Sequence, residues 1–478
     1  MYLKLSRYLV VTDPIPSHLD GRGRRLLLGT RTGAVIAVDL PCWDSLSDGN
    51  FGDLPLPLFG QLKDSRIIVN SQEDELAAVL GENREAAANT GRLFVAIQPT
   101  ADCQFACEYC GQAHRHNQLG EDDQWKLVQR LQDKLHSGRY SELKVGWFGG
   151  EPLLAMDIIR ELTPRLRAIA AAAGCTYQAE IVTNGLLLTP RTAGELCHEH
   201  AVREIDVTLD GIDIFHDQRR VGKDGFPTFR RIFNNVVVLA RRADLEEVNL
   251  RIRCNVDHNN RDGVTPMIQR LADYRLHDRL QRLYMVPVHP WVNDHRGLPV
   301  SPETYATWEI PWLLQMKHLG FNNTDLIPPR LPIICFAVEP EAENVDAFGN
   351  LFNCSEFSYV PDYEQPAAAP GIMGKPSNLH AIGSLARGEE PGKRDLLGKF
   401  YDHIEQGKLP CHTCEILPVC GGACPKAWHI GLVPCPPLKF NISQRLALNY
   451  SLTKLNYPSI ARCKNQNFQN CLSRKSLR

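Results

Sequence analysis

The chain has 478 residues, with 53 basic against 55 acidic side chains and a net charge of -2. That length admits roughly two to four domains, and the near-even charge balance gives no electrostatic reason to expect nucleic acid or an acidic membrane as a partner. Before Thr12 and Asp13 the start offers only a four-residue apolar run, too short for a signal-peptide core or a membrane span. A reducing cytoplasm is therefore the expected location, where the 16 cysteines hold metal or stay free rather than pair as disulfides.

Residues 25–29 and 34–38 are apolar runs flanking Thr30-Arg-Thr-Gly33, which predicts a β-hairpin with Gly33 in the turn. Helices are expected at 42–46 and 57–62, the second with its proline in the first turn. An extended piece at 65–69 follows, then a helix opened by Glu73-Asp-Glu75. Hairpin plus short helices describes a winged-helix-like α+β module over 1–92. It would either pair an extended peptide on its wing or cap the barrel behind it.

From residue 93 the pattern becomes regular. Strand-length apolar runs at 93–98, 143–148, 179–183, 205–209, 248–253 and 282–286 alternate with helical-period segments at 121–135, 155–173, 189–200, 228–240, 263–274 and 302–319. This alternation argues a parallel sheet with crossover helices, six units long, short of the eight that close a barrel. The expected fold is α/β, a partial (β/α)6 barrel over 93–325.

The unusual residues all fall just after the strands. Cys103-Gln-Phe-Ala-Cys107-Glu-Tyr-Cys110 follows the first and Gly149-Gly-Glu-Pro152 the second; Thr183-Asn-Gly185 ends the third and Thr208-Leu-Asp-Gly211 the fourth. Cys254-Asn255 follows the fifth and Pro287-Val-His289 the sixth. The carboxyl rim is where parallel α/β folds assemble their sites. Three thiols this close make a soft, anionic pocket suited to iron–sulfur or zinc. A four-iron cluster on three thiolates keeps one iron open to a small molecule. A zinc site completed by His114 or His116 is the alternative, although closed zinc sites favour paired Cys-x2-Cys units. Gly149 and Gly150 permit close backbone approach, and Glu151 sets a carboxylate suited to an ammonium beside them.

The cysteine triplet with Trp147-Phe-Gly-Gly-Glu-Pro152 resembles the radical S-adenosylmethionine (radical SAM) enzymes over about residues 93–300. The resemblance implies that Cys103, Cys107 and Cys110 hold a [4Fe-4S] cluster whose fourth iron binds S-adenosylmethionine. Reductive cleavage would then release a 5'-deoxyadenosyl radical that takes a substrate hydrogen. It also implies that Gly149, Gly150 and Glu151 contact the methionine amino group, that Tyr109 lies by the adenine, and that Thr208 and Arg220 hold ribose and carboxylate. Asn184 shares their rim as a further cofactor contact.

A second cysteine field follows. Cys335 precedes Gly349 and Cys354, and after a gap come Cys411-x2-Cys414-x5-Cys420-x3-Cys424 and Cys435. A zinc ribbon would use four of these seven and leave three unexplained. The spacing is similar to the SPASM extension, which houses two auxiliary [4Fe-4S] clusters. The resemblance assigns Cys411, Cys414, Cys420 and Cys435 to one, and Cys335, Cys354 and Cys424 to the other, whose usual extra cysteine is missing from Ile327-Pro-Pro-Arg-Leu-Pro-Ile-Ile334. That gives three clusters in all, a loop-rich iron–sulfur domain over 326–440 and a tail over 441–478. Cysteines 42, 175, 197, 254, 463 and 471 are read as core or surface thiols.

SPASM enzymes act mostly on peptides and proteins, with an external one-electron reductant of flavodoxin or ferredoxin type. Their sulfatase-maturing branch, which forms formylglycine, has a proposed aspartate base directly after the cysteine matching Cys354. Here Ser355 stands there, too weak an acid to act as a resting carboxylate base, with Glu356 one place on as substitute. The leading module also suits enzymes that bind a leader peptide. The expected activity is therefore an intrapeptide cross-link, cyclophane or thioether, in a ribosomally made precursor peptide. A sulfatase-type oxidase and a small-molecule radical SAM dehydrogenase are the alternatives.

Overall fold

The computed structural model describes residues 2–16, 23–288, 300–322, 324–365 and 377–454; His289, Cys463 and Cys471 lie outside the described residues. Strands β1 (Leu3–Leu5), β2 (Leu9–Val11), β3 (Ile15–Pro16), β4 (Gly23–Gly29) and β5 (Ala34–Asp39) open the chain. Helices α1 (Leu40–Ser47) and α2 (Leu56–Asp64), strand β6 (Ile68–Asn70) and helix α3 (Glu75–Ala88) follow. β2 and β3 both lie along one side of β4, and β5 lies along the other. The hairpin turns through Gly33, whose φ of +73° is open to glycine at little cost. Asp39 and Asp74 cap α1 and α3 by accepting from the amides of Cys42 and Ala77.

The period-two alternation of β4 decides where this module sits. Leu27 joins Leu46, Leu62 and Ile68 in the module's own core. Leu26 and Leu28, on the opposite face, pack with Val10 against Ile416, Val419, Ile442 and Leu446. Tyr8, Leu76 and Leu80 add a second seam against Val338, Phe400, Tyr401 and Ile404. The module therefore caps the second cysteine field and not the barrel. It does so because both faces of β4 are apolar, so that one face needs a partner beyond the module.

The six alternating units match the sequence pattern. They run β7 (Arg92–Ile97), α4 (Glu121–Leu135), β8 (Glu142–Trp147), α5 (Met156–Ala172), β9 (Thr176–Thr183), α6 (Pro190–His198) and β10 (Val202–Thr208). Then come α7 (Asp213–Arg219), α8 (Phe229–Ala240), β11 (Asn249–Val256), α9 (Val264–Asp273), β12 (Arg282–Pro287) and α10 (Pro302–Leu319). The strands are parallel and neighbours in sequence order. Val145, Ile181, Val207, Ile252 and Cys254 face the helices in one large apolar core. The other face carries charge. Lys144 pairs with Glu180 at 2.8 Å and Glu204 at 2.6 Å, and Arg251 with Glu204 at 3.0 Å. Tyr284 donates to Asp206 at 2.5 Å.

Past the barrel come β13 (Glu343–Val345), β14 (Asn350–Phe352), the short pair β15 (Glu364–Gln365) and β16 (Ser377–Asn378), β17 (Gly383–Ser384) and β18 (Gly388–Glu389). Helices α11 (Asp395–Gly398), α12 (Phe400–Glu405), α13 (Leu417–Cys420), α14 (Pro425–His429) and α15 (Leu438–Lys454) complete the described chain. β13 runs parallel to β7, and β14, β17 and β18 extend it into one ten-stranded sheet. The boundary expected near residue 325 is thus no break in the sheet. Nor does the expected tail begin at 441. α15 runs through that point because Ile442 and Leu446 are buried, and Arg445 pairs with Glu309 of α10.

One ion network ties β13 and β18 to α4, with Glu389 bound by Arg394 and Arg130. The hydrogen bond from Arg394 is the main cause holding the Glu389 carboxyl down to about 2. A folded value below the unfolded one means that its stabilisation is complete above about pH 4.5 and is lost as pH falls toward 2. The melting temperature is expected to fall through that window, and Glu389→Gln to flatten the fall. Identical slopes in the two proteins would remove this assignment.

Candidate active site

The cysteine loop leaves β7 and is stitched to the segment after α7 by backbone bonds. Ala106 N donates to Val221 O and Glu108 N to Arg219 O, both at 2.9 Å, and Phe105 forms an isolated bridge with Gly222. Cys103 is buried, its thiol pushed up to about 12 by burial and then by Cys107 and Glu151. Cys110 is pushed up to about 11 by burial and then by Cys107, and its Sγ lies 3.6 Å from His114 Nε2. Among the described residues no three His, Cys, Asp or Glu side chains converge on the position of a single metal ion. A four-iron cluster makes a different demand, because it takes each thiolate at a separate corner.

The Gly-Gly-Glu loop after β8 rests on the entry to the cysteine loop. Gly149 has φ of +110°, and a Cβ on Gly150 would stand 2.1 Å from the Asp102 carbonyl oxygen. Glu151 N donates to that same oxygen at 2.8 Å. The two glycines thus serve close approach to the chain's own segment 98–102. The Glu151 side chain is fully buried and already engaged. It accepts from Thr183 Oγ1 at 2.7 Å, Asn184 N at 2.7 Å and Leu153 N at 3.0 Å. It therefore braces the ends of β8 and β9, with burial raising its pKa above the ordinary carboxylate range. Asn184 places its Nδ2 3.9 Å from Cys103 Sγ.

Tyr109 and Arg220 meet in a closed buried network. Arg220 Nη1 donates to Tyr109 Oη at 2.5 Å, and Tyr109 Oη donates to Asp210 Oδ2 at 2.5 Å. Asp210 Oδ1 accepts from Asn255 N at 2.7 Å, and Asn255 Nδ2 reaches Tyr109 Oη at 3.0 Å. Arg220 is also 3.7 Å from Asp210, and its pKa lies well above the ordinary guanidinium value because the charges of Cys107, Tyr109 and Asp210 outweigh its burial. Sequence reasoning gave Tyr109 and Arg220 roles; it placed Asp210 and Asn255 on the rim but gave no role to either, and these two fasten the pair together. The available signal was position, since both residues directly follow or end rim strands. The Thr208 hydroxyl on β10 has no hydrogen-bond partner among the described residues.

The second field gathers in two groups. The Cys411 thiol is pushed up to about 12 by burial and then by Cys420, Cys414 and Cys435. These four line a small recess walled by Leu417 and Trp428. Cys354 is raised by burial and then by Glu356, Cys335 and Cys424. The Glu356 charge also raises Cys110 and Cys424, so it is within electrostatic reach of the first loop and of this second group. Gln98 of the β7 end joins the same junction, donating to Ser355 O at 3.2 Å. Cys175, Cys197 and Cys254 are buried in the barrel core, as read from the sequence, and Cys42 packs against the N-terminal core.

Residues 97–262 match the radical SAM superfamily. A serine-type anaerobic sulfatase-maturating enzyme of Bacteroides thetaiotaomicron is 29% identical over 382 residues, 70% of this chain and 83% of that protein. Native anSMEcpe with bound AdoMet and Cp18Cys peptide shares the fold at a TM-score of 0.53 and 15% identity, over 76% of this chain and 98% of that one. Streptococcus suis SuiB bound to precursor peptide SuiA aligns at a TM-score of 0.45 and 12% identity, over 88% and 95%. The superfamily implies S-adenosylmethionine and a [4Fe-4S] cluster, and the donor set fits them. Three thiols share one loop, and beside Asn184 the buried Gln104 Oε1 has no partner among the described residues, an acceptor that is costly to bury unless a bound group meets it. With the cysteine loop, the Gly-Gly-Glu turn and Thr208 all inside the matched segment, the chain carries a radical SAM domain and is an enzyme.

Proposed function

We propose that the chain is a radical SAM peptide maturase that joins two side chains within a precursor peptide. The observation that carries this reading is the module 2–92, docked on the second cysteine field with β5 paired only to β4 among the described residues. Such an edge offers main-chain hydrogen bonds to an extended peptide. About a quarter of this chain lies outside the alignment that spans nearly all of anSMEcpe, so the chain carries more than that fold requires.

Cys103, Cys107 and Cys110 would hold the first cluster, and the two groups of the second field would hold auxiliary ones. When bound, these groups supply removal of one hydrogen atom and acceptance of one electron from the substrate. The balance then requires one proton to leave as the new bond closes. Glu356 would take it, a role supported by its electrostatic reach to both Cys110 and Cys354. Glu356→Gln is expected to lower product formation about 100-fold while 5'-deoxyadenosine is still released. Equal loss of both would reduce the residue to a structural one.

A second reading, sulfatase-type formylglycine formation, is favoured by the Bacteroides relative. Anaerobic incubation of reconstituted enzyme with the peptide encoded beside its gene, and separately with a serine-bearing sulfatase peptide, decides between them. A new side-chain link seen by tandem mass spectrometry supports the maturase. An aldehyde trapped by a hydrazide on the sulfatase peptide would overturn it.

A further inference from the structure

We propose that Arg253 is a carboxylate-binding residue of the active site. It sits near the carboxyl end of β11, in register with Thr208 on β10 and Tyr284 on β12. Its neighbours in sequence, Ile252 and Cys254, face the helices, so Arg253 shares the charged inner face with Arg251, Asp206 and Asn255. Most other cations of that face are matched; the exception is Arg282, in register with Arg251, which is exposed and lies over the Tyr284 ring. Lys144 has Glu180 and Glu204, and Arg251 has Glu204 and, at 3.5 Å, Asp206. At the rim, Arg220 is closed off by Asp210 and Tyr109.

Arg253 differs from the paired ones. Its Nε donates to the neutral Asn255 Oδ1 at 2.8 Å, and it has no carboxylate partner among the described residues. A guanidinium has five N–H donors in a planar fork, so the two terminal nitrogens stay available while Asn255 fixes the plane. Asn255 is itself held by Asp210 and Tyr109. The result is a half-buried, oriented cation beside Thr208, on the rim that carries the cysteine loop, whose charge is felt at Asp206 but which has no carboxylate of the described residues within ion-pair distance. Bidentate pairing with a carboxylate is the interaction this geometry suits. Two carboxylates reach such a place: that of the methionine part of S-adenosylmethionine, and that of an acidic residue in the substrate. The second source rests on the proposed peptide substrate; the first does not.

The test uses the reconstituted holoenzyme as wild type, Arg253→Gln and Arg253→Lys, with iron content and circular dichroism matched. Four probes are titrated by equilibrium dialysis or ligand-observed NMR: S-adenosylmethionine, its decarboxylated analogue, acetyl-Ala-Glu-Ala-amide and acetyl-Ala-Gln-Ala-amide. Arg253→Gln is expected to weaken one carboxylate probe at least tenfold and leave its neutral counterpart within twofold, with Arg253→Lys intermediate because it keeps the charge but loses the fork. Loss confined to S-adenosylmethionine assigns the cofactor carboxylate, and loss confined to the Glu peptide assigns a substrate one. If neither peptide binds the wild type, the cofactor pair decides alone. Unchanged affinity for every probe, or equal loss for acid and neutral partner, overturns the proposal. Binding through Arg253 with no modified peptide would instead remove the maturase reading and leave this site standing.

Discussion

Gly150→Ala is expected to lower 5'-deoxyadenosine release by about 100-fold or more, the cost of an ångström-scale misplacement at a reacting centre, while the barrel stays folded. The added methyl would stand 2.1 Å from the Asp102 carbonyl oxygen and 2.7 Å from its carbon. Both atoms are backbone, so no side-chain rotation relieves the overlap. Either the Glu151 N to Asp102 O bond breaks or residue 102 moves. Asp102 is bonded to the first cysteine, its Oδ1 accepting from Cys103 N at 2.8 Å, and displacement passes directly to that thiol. Gly60→Ala, with open space around its Cβ position, is the control and should change nothing in activity. Release at the wild-type rate from Gly150→Ala, with normal iron content, would sink the proposed coupling between the two loops.

Glu343→Ala is expected to cost about 3–5 kcal/mol of stability, the usual penalty for removing one partner of a buried ionic group. Glu343 on β13 is fully buried and accepts from Arg130 Nη2 and Lys134 Nζ, each at 2.8 Å, with Arg394 at 3.5 Å. Burial alone would raise its pKa, but the charges of Lys134 and Arg130 outweigh that and hold it below the ordinary carboxylate range. The group therefore stays charged at neutral pH, and its removal takes the buried shared partner from Arg130, Lys134 and Arg394, leaving them only Glu389 and Glu341 nearer the surface. Because β13 pairs with β7, the strand that leads into the cysteine loop loses its outer neighbour. Denaturant unfolding monitored by tryptophan fluorescence measures the loss. A change under 1 kcal/mol, given a matched m-value, would show that the network contributes little.

The barrel was legible because its signals are local. Strand-length apolar runs, helical periodicity and turn residues at strand ends fix the six units within a few residues, and rim chemistry follows from connectivity. What stayed hidden depends on partners far along the chain. β13 is the polar run Glu343-Asn-Val345, a strand only because β7 offers it hydrogen bonds and α4 offers it cations. α15 escapes notice because its apolar residues fall all round the helix, with Ile442 and Leu446 buried and Phe440 exposed. The sequence put Tyr109 and Arg220 on the cofactor's rim as separate contacts. Their mutual bond spans 111 positions, and Asp210 lies 101 from Tyr109. Glu151 shows the same limit, since nothing in Gly-Gly-Glu-Pro indicates that Thr183 and Asn184 already occupy its oxygens.

The seating of β4 sets an order of events during synthesis. Val10, Leu26 and Leu28 are made long before their partners Ile416, Ile442 and Leu446. Thr30 Oγ1 donates to Glu415 O across 385 positions, and Arg7 bonds the His412 carbonyl across 405. The β4 sheet must hold one apolar face uncovered until the segment of Ile416 to Leu446 has been translated. Such long-range closure is slow and exposes surface that invites aggregation.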